Sequence, residues 1–555
     1  MLGIEALLEV LAGAGVRYIF GNPGTTELPF SDSLARDDRF RYILGLQEVP
    51  VVAMADGYAM ASGSVGVACV HICCGLGNAM GMLYNAHREG TPLLLLAGQQ
   101  DRRLRLGEPV LEGDMVSVAR PWTKWAVEVQ RVEDVALATR RAVQVALSPP
   151  TGPVFVSVPV DVQMERIEGV SIDHASIADR GTRPPVDALR RAAAMLAEAR
   201  NPCILAGSRV TEAGASDALV RLAEMLGAPV LAEAQTSHGR LPMPSNHPLY
   251  RGSLPLWAED TRQRLSGMDV ILVVGMDLLS LYIERTDTSA IPEGARLVHL
   301  DQDPWEVGKN WPVEVGLLGD PRAGLVELAQ HVSALLDPAQ RQAATRRLAE
   351  ASARREEEQR DLSADIEAAW RQRPMTSLAL MGALARALPP ETALVEEAAT
   401  THQSVLERLG FFHDPAARFA HRGWALGWGV GCALGVRLAW PHRPVLALLG
   451  DGAALYGVQG LWTAARYHIP VTFVVANNAQ YAILKSAAKL MDLPNIAAGL
   501  SRDMDLVDPA VDFCGLARSL GVEAHRVTEP DDLCDRVRGI GQRTEPLLLE
   551  VPLQT

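Results

Sequence analysis

The first 165 residues alternate helical stretches with short apolar runs, VRYIFGNPG, VGVACVHICCG, TPLLLLAGQQ and GPVFVSVPVD, each ending on glycine or polar residues. Runs without strict polar alternation, separated by helical periodicity, predict buried parallel strands in βα units. A polar stretch near 168–185 precedes a second such series, NPCILAGSRV, GAPVLAEAQ, MDVILVVGMD and ARLVHLDQD. From 337 to 373 the pattern changes to a charged helical run, DPAQRQAATRRLAEASARREEEQRDLSADIEAAWRQRP, which reads as a solvated connector. A third series follows with ETALVEEAAT, HRPVLALLGDGA, IPVTFVVANNAQY and EPLLLEVPLQ. The pattern therefore predicts an α/β chain of three doubly wound parallel-sheet domains, at 1–167, 186–336 and 374–555, with the connector at 337–373. In open sheets of this kind ligands sit beyond the carboxyl ends of the strands, which is where the polar and glycine residues fall.

Composition narrows the function. With 555 residues, 48% of them hydrophobic, the chain can bury several cores. A formal charge of −14 provides no basic face for phosphate backbones, so a nucleic-acid partner is not expected. Seven cysteines are scattered, Cys73 and Cys74 being adjacent, and they imply neither a disulfide framework nor a CxxC metal site. The N-terminal segment has no basic leader and reads as an amphipathic helix running into a strand. A cytoplasmic enzyme acting on a small molecule, without a membrane span, is the expectation.

The most specific chemistry lies in LALLGDGA (446–453) and FVVANNAQY (473–481), which place Asp451 and Asn478 27 residues apart, each just after a predicted strand. A hard cation such as Mg²⁺ takes oxygen ligands and keeps company with phosphates. One carboxylate, one amide oxygen and a backbone carbonyl, expected from Gln480, form a suitable protein half-shell. Gly450 and Gly452 let the backbone approach phosphate oxygens, and a helix starting near Ala453 can offer free N–H groups.

GDG followed by Asn-Asn at this spacing resembles the thiamine diphosphate signature. The resemblance extends over nearly the whole chain, because GNPGTTELPF (21–30), LQE (46–48), GNAMG (77–81), LAGQQ (96–100), ARPWTKW (119–125) and LWTAARYHIP (461–470) look like segments of benzoylformate decarboxylases. It implies pyrimidine-binding, middle and diphosphate-binding domains, in that order, and thiamine diphosphate with Mg²⁺ as cofactors. It also implies that Glu48 hydrogen-bonds the aminopyrimidine ring and so activates the cofactor, that Leu426 wedges between its two rings, and that Pro23, Gly450, Asp451, Gly452, Ala453, Asn478, Gln480 and Tyr481 complete its site. Two residues depart from the pattern: Gly431 stands where relatives commonly carry proline, and Trp424 where a small residue often sits.

On the substrate side, the resemblance makes His71 a proton-transfer residue, and Thr25 takes the place of a serine that binds the substrate carboxylate. Tyr282 falls where benzoylformate decarboxylases carry a second histidine, and a tyrosine is a poor base at neutral pH. Ungapped matching adds Val110, Leu111, His421, Arg422, Ile483, Leu484 and Ala487 as pocket positions. The polar His421 and Arg422 raise the possibility of a substrate with a polar or anionic tail, with a salt bridge as the other reading of Arg422. The expected reaction is non-oxidative decarboxylation of a 2-oxo acid to an aldehyde. The rivals are a carboligase or a 2-hydroxy ketone or 2-hydroxyacyl lyase, an acetolactate synthase-like enzyme, a flavin-using oxidase, for which no flavin motif is read in the middle domain, and a catalytically silent relative. Family geometry, in which the pyrimidine-binding domain of one subunit faces the diphosphate-binding domain of another, implies a homodimer at minimum and a homotetramer as the usual form.

Overall fold

The computed structural model describes residues 1–168, 172, 175–234, 239–281 and 289–554. Tyr282 lies outside them. Among the described residues are three parallel six-stranded sheets, flanked by helices, which is the fold class the alternation predicts. The first holds β1 (Tyr18–Gly21), β2 (Arg41–Leu44), β3 (Gly66–Val70), β4 (Leu93–Gln99), β5 (Trp125–Glu128) and β6 (Val154–Pro159), in the order β2-β1-β3-β4-β6-β5. The second holds β7 (Pro202–Ala206), β8 (Val230–Ala232), β9 (Tyr250–Ser253), β10 (Val270–Val274), β11 (Arg296–Asp301) and β12 (Val315–Leu318), ordered β12-β11-β10-β7-β8-β9. The third holds β13 (Ala393–Glu397), β14 (Arg418–Phe419), β15 (Val445–Gly450), β16 (Val471–Asn477), β17 (Glu523–Arg526) and β18 (Leu547–Pro552). Its order, β14-β13-β15-β16-β18-β17, repeats that of the first sheet. β4 and β6 are buried at every residue, the consequence of helices covering both faces of a parallel sheet.

The charged run forms one helix, Pro338–Ala369, started by a capping box between Asp337 and Gln340 with Pro338 at its first turn. It is not solvated all round: Ala344, Leu362, Ile366 and Ala369 are buried, and Arg355 donates to the carbonyl oxygens of Tyr250 and Ser245.

The first and third domains share one apolar core, which runs from Phe20, Val52 and Phe155 to Trp428, Val445 and Phe473. Its centre is the packing of helix Glu48–Ser62 on helix Trp428–Ala439. The two backbones approach so closely that a Cβ on Gly435 would stand 2.0 Å from the carbonyl oxygen of Met54, and one on Gly431 2.6 Å from that of Pro50. No other residue type fits there without separating the helices, which accounts physically for glycine at position 431.

Candidate active site

In the first sheet the chain turns left after β1 and right after β3, and the residues at this switch point converge. Thr25–Glu27 forms a single 3₁₀ turn beyond β1, and His71 caps helix Ile72–Glu89 beyond β3. His71 Nδ1 lies 2.7 Å from Glu27 Oε2 and 3.5 Å from Thr26 Oγ1. Glu27 is 2% exposed, and its other oxygen accepts hydrogen bonds from the Gly98 amide at 2.6 Å and from Thr26 Oγ1 at 2.9 Å. A carboxylate fixed in this way accepts the Nδ1 hydrogen of His71, leaving Nε2 for chemistry. Gly24 is obligatory beside it, since a Cβ there would stand 1.8 Å from His71 Nδ1. The buried Ile72, next in sequence, sits at φ +40°, a conformation that costs a β-branched residue energy and that clusters at functional sites. Thr25 is exposed on the same turn, Pro23 is exposed just before it, and it is Thr26 that touches His71.

Glu48 is the first residue of its helix, just beyond β2, and is 7% exposed. Asn78 Nδ2 donates to Glu48 Oε2 at 3.0 Å, so the helix that His71 caps also orients Glu48. Val110 and Leu111 lie on the loop beyond β4, 79% and 41% exposed.

The third sheet has its own switch point, between β13 and β15. Asp451 follows β15 and is 5% exposed. Its Oδ1 accepts from the Gly452 amide at 2.7 Å and its Oδ2 from the Ala479 amide at 2.6 Å. Burial raises the Asp451 pKa above the ordinary carboxyl value, and these amides oppose the rise. Asn478 follows β16, with its Oδ1 accepting from the Gln480 amide at 3.1 Å. Ala479, between them, is at φ +54°, which turns the Asn478–Gln480 backbone toward Asp451. Tyr481 packs over the turn, where a Cβ on Gly452 would meet its ring at 2.6 Å. A buried carboxylate and a half-buried amide oxygen on two adjacent strand ends form a hard-donor set that fits a magnesium ion with phosphate oxygens.

Beside them opens a cavity of about 300 Å³ lined by Leu256, Glu397, His421, Trp424, Leu426, Ile483 and Leu484, among others. Leu426 is 40% exposed there, on the approach to helix Trp428–Ala439. The start of that helix is held by Glu397, whose carboxylate accepts the amides of Gly427, Trp428 and Gly429 at 2.9, 3.1 and 2.9 Å. Of the pocket positions read from sequence, His421, Ile483 and Leu484 line this cavity. Val110, Leu111 and Ala487 line neither it nor its neighbour, a cavity of about 190 Å³ that Arg422 lines.

Arg422 is 8% exposed and stands among Glu89, Glu233 and Asp277 at 3.4, 3.6 and 3.7 Å, the salt-bridged alternative for this residue. Burial opposes its charge, but the three carboxylates more than compensate and raise its pKa. Glu233 pays for the same burial, which pushes its pKa up to about 7 despite Arg422. A further buried group of Glu396, His402 and Glu407 has metal-ligand spacing. Arg418 stands among them, 2.9 Å from Glu396 and 3.0 Å from Glu407, so a guanidinium neutralises the cluster.

Sequence reasoning missed Glu27, Asn78 and Glu397. The first two lie inside the quoted segments GNPGTTELPF and GNAMG, but nothing in either segment announces the partner.

Parallel sheets with acidic and amide groups beyond the carboxyl ends of their strands fit the class of α/β enzymes that hold a phosphorylated cofactor. Family models narrow the class: the N-terminal thiamine pyrophosphate binding domain matches residues 1–118, the central domain of thiamine pyrophosphate enzymes 189–328, and the C-terminal thiamine pyrophosphate binding domain 398–551. The chain belongs to the thiamine pyrophosphate (thiamine diphosphate) enzyme family. It is 35% identical to benzoylformate decarboxylase of Pseudomonas aeruginosa over 99% of this chain and 98% of the relative. It is 25% identical to glyoxylate carboligase of Escherichia coli, covering 100% and 93% of the two chains. The crystal structure of benzoylformate decarboxylase from Polynucleobacter necessarius superposes with a TM-score of 0.88 at 28% identity, covering 100% of this chain and 98% of the other. Among the described residues no helix is long and apolar enough to cross a membrane.

Proposed function

We propose that this enzyme decarboxylates a 2-oxo acid to an aldehyde without oxidation, using thiamine diphosphate and Mg²⁺. The observation that carries the reading is the His71–Glu27 pair at 2.7 Å, an oriented proton-transfer group beside the helix end that presents Glu48. Full-length identity of 35% to a benzoylformate decarboxylase supports it.

Thiamine diphosphate, when bound, supplies the electron sink needed to break the bond between the carboxylate and the 2-oxo carbon. Asp451, Asn478 and the Gln480 carbonyl would hold the Mg²⁺, and Gly450, Gly452 and Ala453 would receive the diphosphate. Leu426 would prop the cofactor by packing, and Pro23 and Tyr481 would complete its site. Glu48, fixed by Asn78, would hydrogen-bond the aminopyrimidine ring. Thr25 offers a hydroxyl to the substrate carboxylate. His71, with Nδ1 tied to Glu27, would take up a proton from solvent at Nε2 and deliver it to complete the aldehyde. Leu426, Ile483 and Leu484, all at least 40% exposed, form an apolar surface that the first domain of a second subunit covers in the dimer we infer as the minimal active form.

Joining the acyl group to a second aldehyde is the competing outcome at the same site, and the full-length similarity to a glyoxylate carboligase favours testing for it. Incubating the holoenzyme with a panel of 2-oxo acids, with and without added aldehyde, separates the two. Release of CO₂ with stoichiometric aldehyde supports the proposal; 2-hydroxy ketone as the main product replaces it with the carboligase reading.

A further inference from the structure

We propose that Trp424 sets the length limit of the acyl tail by closing the active-site cavity off from a second, charged chamber behind it. The proposal rests on the decarboxylase reading and gives the acyl tail of the substrate the 300 Å³ cavity that His421, Ile483 and Leu484 line. Trp424 is the one described residue that lines both that cavity and the 190 Å³ chamber. The chain of the middle domain divides in the same place, with Pro255 on the chamber and Leu256 on the cavity.

The wall is built at a backbone position that disfavours a tryptophan. Trp424 has φ +61°, in the left-handed region where a bulky side chain is strained. It is held there from both sides. Its own amide donates to His421 Nδ1 at 2.9 Å. Its neighbour Ala425 exchanges two hydrogen bonds with the fully buried Asn85 of the first domain, at 3.0 and 2.8 Å. A strained residue over-determined by its surroundings, at the mouth of a site, points to selection for what its side chain blocks.

The chamber has unused hydrogen-bonding capacity. Arg422 and Glu233 line it, and their Nη1 and Oε1, 3.6 Å apart as an ion pair, have no hydrogen-bond partner and lie just beneath its surface. Arg88, Asp277 and Ser280 complete its polar wall. One spare donor beside one spare acceptor complements a primary amide, whose carbonyl would accept from Arg422 and whose NH₂ would donate to Glu233. A 2-oxo acid with an amide-terminated tail is therefore the substrate that opening this wall should admit.

The test compares kcat/KM for the monoamide of 2-oxoadipate with that for 2-oxobutanoate, in wild type, Trp424→Gly and Trp424→Phe. Cooperative thermal unfolding serves as the folding control, and Trp424→Ala replaces the glycine form should that fail to fold. The long-to-short ratio should rise about tenfold or more in the opened variant and change little in Trp424→Phe, since pocket selectivity of this size is ordinary. An unchanged ratio in a folded Trp424→Gly protein overturns the proposal. If none of the proteins turns over either acid, it is the decarboxylase assignment that fails. The wall is then read by calorimetric binding of the unreactive monoamide of adipic acid to the holoprotein: about tenfold tighter binding to the opened variant sustains it, and equal binding overturns it.

Discussion

The indole Nε1 of Trp428 donates to Asp56 Oδ2 at 2.6 Å, joining helices of the first and third domains between residues 372 positions apart. Both side chains are buried, with the Thr91 hydroxyl also at the Asp56 carboxyl. Burial raises the Asp56 pKa to about 6, with Trp428 opposing and Glu89 adding to the rise. A carboxyl whose folded pKa is raised contributes stability that is complete at pH below its unfolded value and is lost as pH rises through the folded value. Asp56→Asn should therefore match wild type near pH 4 and exceed it at pH 8, by up to about 3 kcal/mol. Asp56→Ala strands the indole N–H and should cost about 1–3 kcal/mol at pH 5. Urea unfolding at the two ends of this range checks both.

His71 and Glu27 should separate by role. His71→Ala removes the proton-transfer group and should lower kcat by about 10²–10⁴-fold. Glu27→Gln keeps the hydrogen-bonding shape but not the charge that favours one tautomer, and should cost about 10–100-fold, with a shifted pH–rate profile. Equal losses, or no change in the profile, would contradict a positioning role for Glu27.

Asp451 should control cofactor affinity through the metal. Asp451→Ala should weaken thiamine diphosphate binding in the presence of Mg²⁺ by at least about tenfold, and chelation of wild type should have the same effect, reversible on adding Mg²⁺. Fluorescence titration of the apoprotein with cofactor reads both.

Trp424 at φ +61° should make Gly a better replacement than Ala, because both remove the ring but only glycine relaxes the backbone. The difference in unfolding free energy between Trp424→Gly and Trp424→Ala should be about 1 kcal/mol in favour of glycine.

The parallel sheets were legible because fully buried strands such as LLLLAGQ leave a continuous apolar run, and strand ends are where glycine and polar residues accumulate. Asp451 and Asn478 were legible for the same reason, each following its strand at once. What periodicity could not carry was pairing. Glu27 meets His71 across 44 positions and Asn78 meets Glu48 across 30, and such partners are fixed only when neighbouring strands deliver their ends to one place. Arg422 looked from sequence like a pocket residue or a salt bridge; only the approach of Glu89, Glu233 and Asp277 from two other domains decides its surroundings.

The most direct measurement is single-turnover CO₂ release from 2-oxo acids by holoenzyme saturated with thiamine diphosphate and Mg²⁺, in wild type and in Glu48→Gln. The account predicts cofactor-dependent release by wild type and a loss of about 10²-fold or more in a variant that still binds the cofactor. Undiminished release by Glu48→Gln, or none by wild type with any acid, would contradict it.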